Sequence, residues 1–278
     1  MSGRPFVKMQ GLENHFVIVD ARTTPFDPDA NEITRICDVR IGIGAEQLLI
    51  LNPPSQSGKA AGADAFLRIL NIDGKEVSTC GNASRCAARL LMEQNNSHEV
   101  LIETGAGILT CQLEDSGLIS VDMGLITTDW QHIPLTDACD TLSLPVENGP
   151  LNHGIALNIG NPHAVFFVED FDSVDIETYA PAIQDNPLFP EQVNVGVAQI
   201  TGPDSIRMHV FERPGILTRA CGSGACVAVE AARLTGRLTA SRVRVEVPAG
   251  TIEVYIREDH SALMAGPAEY CFSGHLLA

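Results

Sequence analysis

Two cysteines in this sequence stand where a thiol can serve as an acid or a base. Cys80 and Cys221 are each followed by a glycine and then by an alanine-rich run. The spacing of apolar residues and alanines predicts helices over residues 82–94 and 224–234, so each thiol stands at a helix start. A helix N-terminus lowers the pKa of a thiol, and its unpaired N–H groups bind anions. This arrangement predicts inversion of a carbon that carries a carboxylate.

The residues after each cysteine predict how the substrate is held. We expect the backbone N–H groups of Gly81 and Asn82, and those of Gly222 and Ser223, to bind one carboxylate, since glycine permits close approach. One thiolate then removes the α-proton while the other thiol delivers a proton to the opposite face. The alternative for a single Cys-Gly pair is a small buried residue at a helix cap, and the repetition favours the chemistry.

The two Cys-Gly segments belong to a longer internal repeat. Residues 14–20 are echoed by 161–170, and residues 105–109 by 248–252, in the same order along the chain. We interpret this as a gene duplication. Further helices are predicted over residues 31–38 and 176–186, strands outnumber helices, and loops are expected at residues 52–62 and 145–154.

The repeat and the strand content predict an α+β fold. We expect two pseudo-symmetric lobes, each a strongly curved, mostly antiparallel, barrel-like sheet wrapped around a central helix, with the active site in the interlobe cleft. The N-terminal lobe would comprise residues 1–122 plus 266–278 and carry Cys80. The C-terminal lobe would comprise residues 123–265 and carry Cys221.

Composition narrows the partners. A net charge of −17 with 18 Lys and Arg residues disfavours binding to nucleic acid and to anionic membranes. The sequence shows no signal-peptide pattern and no membrane-spanning apolar run. We therefore expect a cytoplasmic enzyme with a small-molecule substrate. The eight cysteines are expected to be reduced. The sequence has few lysines that could bind pyridoxal phosphate, and it lacks a dinucleotide-binding fingerprint. It also lacks cysteines and histidines at the spacing of metal ligands. We therefore expect a reaction without a cofactor or a metal.

Several short segments carry a resemblance to a known family. They are residues 8–12 with Asn14, 42–45 with Gln47, 71–74, 80–82, 160–163, 189–191 with Asn194, 212–213 and 220–224. With these segments the chain resembles diaminopimelate epimerases over essentially its whole length. The resemblance implies that two cysteines interconvert LL- and meso-diaminopimelate without a cofactor, in lysine and peptidoglycan precursor biosynthesis. It also implies a homodimer whose interface involves the C-terminal segment near Phe272.

The resemblance also implies roles for individual residues. Cys80 would be the proton donor and Cys221 the acceptor in one direction, with His163 and Glu212 assisting the proton loading of the thiols. Gln47 would line the site. The distal end of the substrate would be read by six polar residues, namely Asn14, Asn71, Asn161, Asn194, Glu212 and Arg213, of which Arg213 suits a carboxylate and Glu212 an ammonium group.

Five residues depart from the family pattern, and three alternatives stay open. Glu13, His15, Glu46, Pro214 and Ile216 replace residues usual in the family, and these changes bear on distal specificity more than on the two-thiol mechanism. The first alternative is an amino-acid racemase of the same mechanism with another substrate. The second is a non-catalytic amino-acid-binding relative, and the third is a one-base isomerase.

Overall fold

The protein folds into two compact units. The computed structural model describes residues 3–277. Unit 1 comprises Met1–Asp122 and Ala265–Ala278, and unit 2 comprises Met123–Met264. Within residues 3–277, no helix combines the length and the apolar character that crossing a bilayer requires.

Unit 1 is built on one continuous run of paired strands. They are β1 (Arg4–Gly11), β2 (Asn14–Asp20), β3 (Gln47–Asn52), β4 (Ala65–Asn71), β5 (Glu76–Val77), β6 (Glu99–Thr104), β7 (Gly107–Leu113), the first part of β8 (Ile119–Leu125) and, near the C-terminus, β17 (Glu269–Leu276). β1 pairs antiparallel with β17 and β2, and β2 pairs parallel with β3. β3 pairs antiparallel with β4, which pairs antiparallel with β5 and parallel with β6. β7 pairs antiparallel with β6 and β8.

Unit 2 repeats this order of pairing. Its strands are β9 (Ile155–Asn158), β10 (Pro162–Phe167), β11 (Asn194–Gly202), β12 (Ser205–Glu212), β13 (Ile216–Thr218), β14 (Arg242–Val247), β15 (Gly250–Ile256) and most of β16 (Ser261–Gly266). β10 pairs antiparallel with β9 and parallel with β11, and β11 pairs antiparallel with β12. β12 pairs antiparallel with β13 and parallel with β14, which pairs antiparallel with β15.

Between residues 3 and 277, five α-helices and one short 3₁₀ helix (Phe171–Ser173) connect these strands. Unit 1 contains α1 (Ala30–Cys37), α2 (Gln56–Ala60) and α3 (Gly81–Asn95), and unit 2 contains α4 (Ile176–Gln184) and α5 (Gly222–Leu234). Asp29, Ser55 and Asp175 cap α1, α2 and α4 by accepting a hydrogen bond from a backbone N–H of the first turn. α3 ends where Asn96 adopts a left-handed conformation.

Each sheet must curve around its long helix. α3 packs against β1, β2, β3, β4, β6 and β7, and α5 packs against β9, β10, β11, β12 and β15. Six flat strands about 4.8 Å apart would span roughly 24 Å, whereas a helix with its side chains is only about 10 Å wide. A sheet can keep all six strands against one helix only if it bends around that helix.

The central strands of both units are buried on their two faces. In unit 1, Val17, Val19, Leu48 and Ile50 pack with Ile33 of α1 on one face of the sheet. Their sequence neighbours in the same strands are equally buried, which explains the continuous apolar runs of β2 and β3. In unit 2, residues of β10 and β11 pack with α4 in the same way.

The matching strand pairs support the interpretation of a duplication. The helix between β2 and β3 corresponds to the helix between β10 and β11, and α3 between β5 and β6 corresponds to α5 between β13 and β14. Register makes the correspondence residue by residue, since Phe16 lies opposite Gln47 and His163 lies opposite Asn194. Phe16 therefore corresponds to His163, and Gln47 to Asn194.

The fold prediction is confirmed in its class. The protein is an α+β protein with mostly antiparallel strands, and the four predicted helices form within two residues of their predicted ends. One prediction was wrong in part, because α2 forms inside the stretch 52–62 that was expected to be a loop. The Ser55 cap and the buried Glu103 of β6 hold α2, since Glu103 accepts hydrogen bonds from the backbone N–H of Ser55 at 2.8 Å and from its hydroxyl at 2.5 Å.

Candidate active site: two half-sites with matched cysteines

The Cys80 thiol lies at the entry of α3 in unit 1. Cys80 is the N-cap residue, with φ −154° and ψ 116°, and its carbonyl accepts a hydrogen bond from the Ser84 N–H at 2.9 Å. Its side chain is half-buried and free of a disulfide. The N–H groups of Gly81 and Asn82 belong to the first turn, where a helix provides no carbonyl partner for them. The structure therefore places a thiol next to two backbone donors, as the sequence predicts.

A short chain of polar side chains surrounds Cys80. The Cys80 Sγ donates to Asn14 Oδ1 across 3.9 Å, and Asn82 Nδ2 donates to the same oxygen at 3.3 Å. Asn82 Oδ1 accepts from the buried Arg85 guanidinium at 2.7 Å, and Asn14 Nδ2 donates to Glu46. Asn14 therefore lies beside the thiol of its own unit.

Gln47 and Asn71 form a second polar pair in unit 1. They lie opposite each other in β3 and β4, and Gln47 Nε2 donates to Asn71 Oδ1 at 2.8 Å. The Gln47 Oε1 atom is buried and finds no hydrogen-bond partner among the residues that the structure describes. A buried acceptor without a partner is costly, so this oxygen is suited to receive a ligand donor.

The Cys221 thiol lies at the entry of α5 in unit 2, in a more enclosed setting. Cys221 is the N-cap residue, and its Sγ accepts from the Gly224 N–H at 3.4 Å. The Ser223 hydroxyl lies 3.5 Å from the same sulfur. Burial raises the pKa of Cys221 well above its ordinary range, and the nearby Glu212 charge raises it further. The helix N-terminus was expected to lower this pKa, and desolvation outweighs it.

Glu212 is the acid group next to Cys221. It ends β12, its Oε1 accepts from the Thr218 hydroxyl at 2.6 Å, and it is hydrogen-bonded to Cys221. Burial raises the pKa of Glu212, and these two hydrogen bonds offset the rise only in part. Two acidic groups with raised pKa values in contact share protons readily, because neither is stable as an isolated buried anion.

His163 joins three other polar residues of unit 2. Its Nε2 lies 3.1 Å from Asn161 Oδ1, 3.1 Å from the Ser223 hydroxyl and 3.4 Å from Asn194 Nδ2. Asn161 Nδ2 also donates to the Ser223 hydroxyl at 3.3 Å. Burial, together with the positive charge of Arg213, lowers the pKa of His163 to about 3. The imidazole is therefore neutral at the pH of the cell.

A pocket of about 410 Å³ lies beside these groups within unit 2. Arg213 lines it, with its backbone N–H bound to Asn194 Oδ1 at 3.0 Å and its Nη1 bound to the Glu191 carbonyl at 2.9 Å. The other lining residues are Asn161, Glu191, Gln192, Asn194, Glu212 and Pro214. A carboxylate and a guanidinium on one wall suit a ligand group that carries both an ammonium and a carboxylate.

The structure gives the departures from the family pattern a location. Glu13 lies in the turn between β1 and β2 with φ +61°, a left-handed conformation that glycine adopts more easily. His15 of β2 lies opposite Gln10 of β1. Pro214 lines the pocket of unit 2, and Ile216 begins β13 with its side chain exposed.

The predicted site residues fall at matching places in the two units. Asn14, Gln47, Asn71 and Cys80 correspond in order to Asn161, Asn194, Glu212 and Cys221. Arg85, Glu46 and Thr218 were missed as site residues, although each touches one that was predicted. Two of them carried a sequence signal, since Arg85 lies in the first turns of a helix whose other early residues are small and Glu46 replaces an aspartate usual in the family.

The sequence matches the family described as "Diaminopimelate epimerase" over residues 6–128 and 155–271. It is 43% identical to a diaminopimelate epimerase of Rhodospirillum centenum over 98% of this chain and 92% of that protein. It is 44% identical to one of Phenylobacterium zucineum over 99% of this chain and 98% of that protein. The chain belongs to the diaminopimelate epimerase family.

Solved structures extend this family assignment to the fold. A phenazine biosynthesis protein of the PhzF family from Bacillus anthracis has a TM-score of 0.69 at 17% identity, with all of both chains covered. A hydroxyproline epimerase from Agrobacterium vitis has a TM-score of 0.67 at 15% identity, covering 99% of this chain and 91% of that one. These likenesses show that this member of the diaminopimelate epimerase family shares its fold with proteins of very different sequence.

Proposed function

We propose that the protein interconverts LL- and meso-diaminopimelate by two-base proton transfer at the α-carbon, without a cofactor. The observation that carries this proposal is the matched pair of helix entries at Cys80 and Cys221 in a member of this family. Each entry offers a thiol and two backbone donors, and inversion needs one acid-base group for each face of the carbon. The pathway context is lysine and peptidoglycan precursor biosynthesis.

We assign the proton-donor role to Cys80 and the acceptor role to Cys221 in one direction. The surroundings of the two thiols support this, because Cys80 faces the carbonyl oxygen of Asn14, which stabilises the protonated form. The Cys221 sulfur instead accepts from the Gly224 N–H, which stabilises the thiolate. In the reverse direction the two roles exchange.

Glu212 is the proposed base that prepares Cys221. Burial keeps Cys221 protonated in the free protein, so the thiol must lose its proton before it can act on the substrate. Glu212 is hydrogen-bonded to it and has a raised pKa of its own, which lets the carboxylate take up that proton. Neutral His163 is hydrogen-bonded to Ser223 and Asn161, and Ser223 lies beside Cys221, so we propose that His163 assists the proton loading of this thiol through Ser223.

The substrate carboxylate at the reacting carbon is proposed to bind the first-turn N–H groups of Gly81, Asn82, Gly222 and Ser223. The pocket lined by Arg213 and Glu212 suits the distal end of the substrate, with Arg213 binding the carboxylate and Glu212 the ammonium group. The remaining proposed contacts are Asn14, Gln47, Asn71, Asn161 and Asn194. Removal of the α-proton leaves a carbanion, and reprotonation from the opposite face completes inversion with no net loss or gain of protons.

The decisive experiment follows α-hydrogen exchange and epimerisation of LL- and meso-diaminopimelate in deuterated water. We expect the wild-type protein to do both, and Cys80→Ser and Cys221→Ser each to lose at least 10³-fold in epimerisation, a size typical of removing an acid-base group. Cys271→Ser, which is exposed, and Cys139→Ser, which is half-buried, are matched controls that should keep wild-type rates. Normal turnover in either of the first two variants contradicts the assignment of that residue.

The same assay separates the remaining candidates. Activity on single amino acids but not on diaminopimelate would indicate a racemase, and binding without exchange would indicate a non-catalytic relative. Turnover that requires only one of the two cysteines would indicate a one-base isomerase.

We also propose a cytoplasmic homodimer. Tyr270 and Phe272 of β17 expose 39% and 50% of their surface, more than aromatic side chains usually do, and they suit an interface between copies. Light scattering coupled to gel filtration should give twice the mass of one chain, and Phe272→Glu should shift it to a single chain. A wild-type protein that stays monomeric at high concentration contradicts this proposal.

A further inference from the structure

The polar chain around Cys80 has a direction that its two ends impose. At one end, the Arg85 guanidinium can only donate hydrogen bonds, and it donates to Asn82 Oδ1 at 2.7 Å. At the other end, the Glu46 carboxylate can only accept, and it accepts from Asn14 Nδ2. Each end therefore fixes which atom of the neighbouring amide faces it.

The middle of the chain transmits this orientation to the thiol. With Asn82 Oδ1 turned to Arg85, Asn82 Nδ2 points to Asn14 and donates to its Oδ1 at 3.3 Å. With Asn14 Nδ2 turned to Glu46, the same Oδ1 faces the Cys80 sulfur at 3.9 Å. Arg85 alone, or Glu46 alone, is enough to place the side-chain oxygen of Asn14 beside the Cys80 sulfur, and both favour the same orientation.

We propose that Arg85 and Glu46 are positioning residues that hold Cys80 in its proton-donating form. They do so by holding the side-chain oxygen of Asn14 toward the sulfur. This oxygen accepts a hydrogen bond from the S–H group and repels the negative charge of a thiolate. The inference rests on the proposed role of Cys80 as a proton donor, and the two residues act through the asparagines that they contact, Asn82 and Asn14. An asparagine free to rotate would offer its N–H₂ group to a thiolate instead.

Unit 2 has other residue types at the positions that match Arg85 and Glu46. Counting from the two helix entries, Arg85 corresponds to Cys226, and counting along the paired strands, Glu46 corresponds to Val193. The Cys221 sulfur faces the Gly224 N–H and Glu212 instead. Cys80 thus faces an amide oxygen whose direction is fixed, whereas Cys221 faces a backbone N–H and a carboxyl group that can take up its proton.

Arg85 is also held in place from behind. Its side chain is fully buried, its Nε donates to the Pro267 carbonyl at 3.2 Å, and a side chain at Gly266 would approach its guanidinium carbon to 3.0 Å. A Cβ at Gly11 would come within 3.3 Å of its Nη2. The strand residues around Arg85 therefore leave the guanidinium little freedom to turn away from Asn82.

The test is the rate at which iodoacetamide labels Cys80 at pH 7, measured by mass spectrometry, because only the thiolate reacts. We expect the double variant Arg85→Met/Glu46→Gln to label about tenfold faster than wild type, which corresponds to one unit of thiol pKa. Each single variant should change the rate by less than about 1.5-fold, since one anchor still fixes the amides, so that the product of the two single effects stays well below tenfold. The double variant removes one positive and one negative charge, so a simple change of field largely cancels.

A rate in the double variant no greater than the product of the two single effects overturns the proposal. Labelling of the buried Cys111 would show that Arg85→Met disturbs folding, and Glu46→Lys then decides, since a lysine can only donate to Asn14. In 1 M NaCl, which screens surface charge, Glu46→Lys should still label Cys80 about tenfold faster, and the matched control Glu32→Lys should not. Equal rates for these two lysine variants overturn the proposal. Failure of epimerase activity itself leaves this labelling test unaffected.

Discussion

The neutral state of His163 predicts a specific loss of stability in acid. Burial, with the positive charge of Arg213, lowers the pKa of His163 from its ordinary value of 6.5 to about 3. Below pH 6.5 the unfolded chain takes up a proton at this residue and the folded chain does not, so stability falls as the pH falls toward 3. Above pH 6.5 both states are neutral and the residue contributes no pH dependence.

The size of the effect follows from the same values. At pH 5.0, which lies about 1.5 units below the unfolded pKa, His163 alone should lower the free energy of unfolding by about 2 kcal/mol relative to pH 7.5. His163→Gln retains a polar side chain but cannot be protonated. We therefore expect the variant to lose about 2 kcal/mol less than wild type between pH 7.5 and 5.0.

The assay uses urea unfolding followed by tryptophan fluorescence. The chain has a single tryptophan, Trp130, which packs against the core of unit 2 that also contains Ala164, the neighbour of His163. Its emission therefore reports on the unit that carries the imidazole. Other titrating groups, including His209, are common to both proteins and drop out of the difference. If wild type and variant lose the same free energy within about 0.5 kcal/mol, the imidazole is not held neutral by burial, and the reasoning fails.

Three further predictions concern the acid next to Cys221, the thiols and the core. Glu212→Gln should speed iodoacetamide labelling of Cys221 about tenfold at pH 8, because it removes a charge that raises the thiol pKa, and an unchanged rate would show that the carboxylate is not charged there. In the native protein the exposed Cys271 should label within minutes while Cys86 and Cys111, whose pKa values burial raises to about 12, stay unmodified; mass spectrometry of each peptide checks this. Leu49→Ala, at a fully buried position of β3, should lower the free energy of unfolding by about 2–5 kcal/mol in urea titrations, against less than about 0.5 kcal/mol for the surface control Glu258→Ala.

The sequence predicts most of the fold because its signals are local or repeated. The helix entries at Cys80 and Cys221 and the apolar runs of β2 and β3 are readable without any long-range contact. α2 escaped prediction because its stability comes from Glu103, which lies 48 residues from Ser55 along the chain. A short helix among prolines and glycines has no local signal that outweighs those residues.

The sequence places Cys80 and Cys221 at helix entries, where the structure has them, but it does not give the ionisation of these thiols. Sequence position suggests a lowered thiol pKa at a helix entry, but the pKa of Cys221 depends on how deeply it is buried and on Glu212, which precedes it by nine residues and meets it only in the folded unit. The contacts of Glu46 with Asn14 and of Arg85 with Asn82 are equally tertiary. Side-chain direction and desolvation are properties of packing, which no residue spacing contains.

The repeated topology has a consequence for the history of this chain. An ancestor of single length would have carried one thiol, so inversion would have required two identical molecules with identical surroundings for both sulfurs. Fusion into one chain allowed the copies to differ. Asn71 of unit 1 stands at the position where unit 2 has Glu212, and Phe16 at the position where unit 2 has His163, and two identical molecules cannot differ in this way. Glu212 and His163 could then serve in one copy while Asn71 and Phe16 occupied the matching positions of the other.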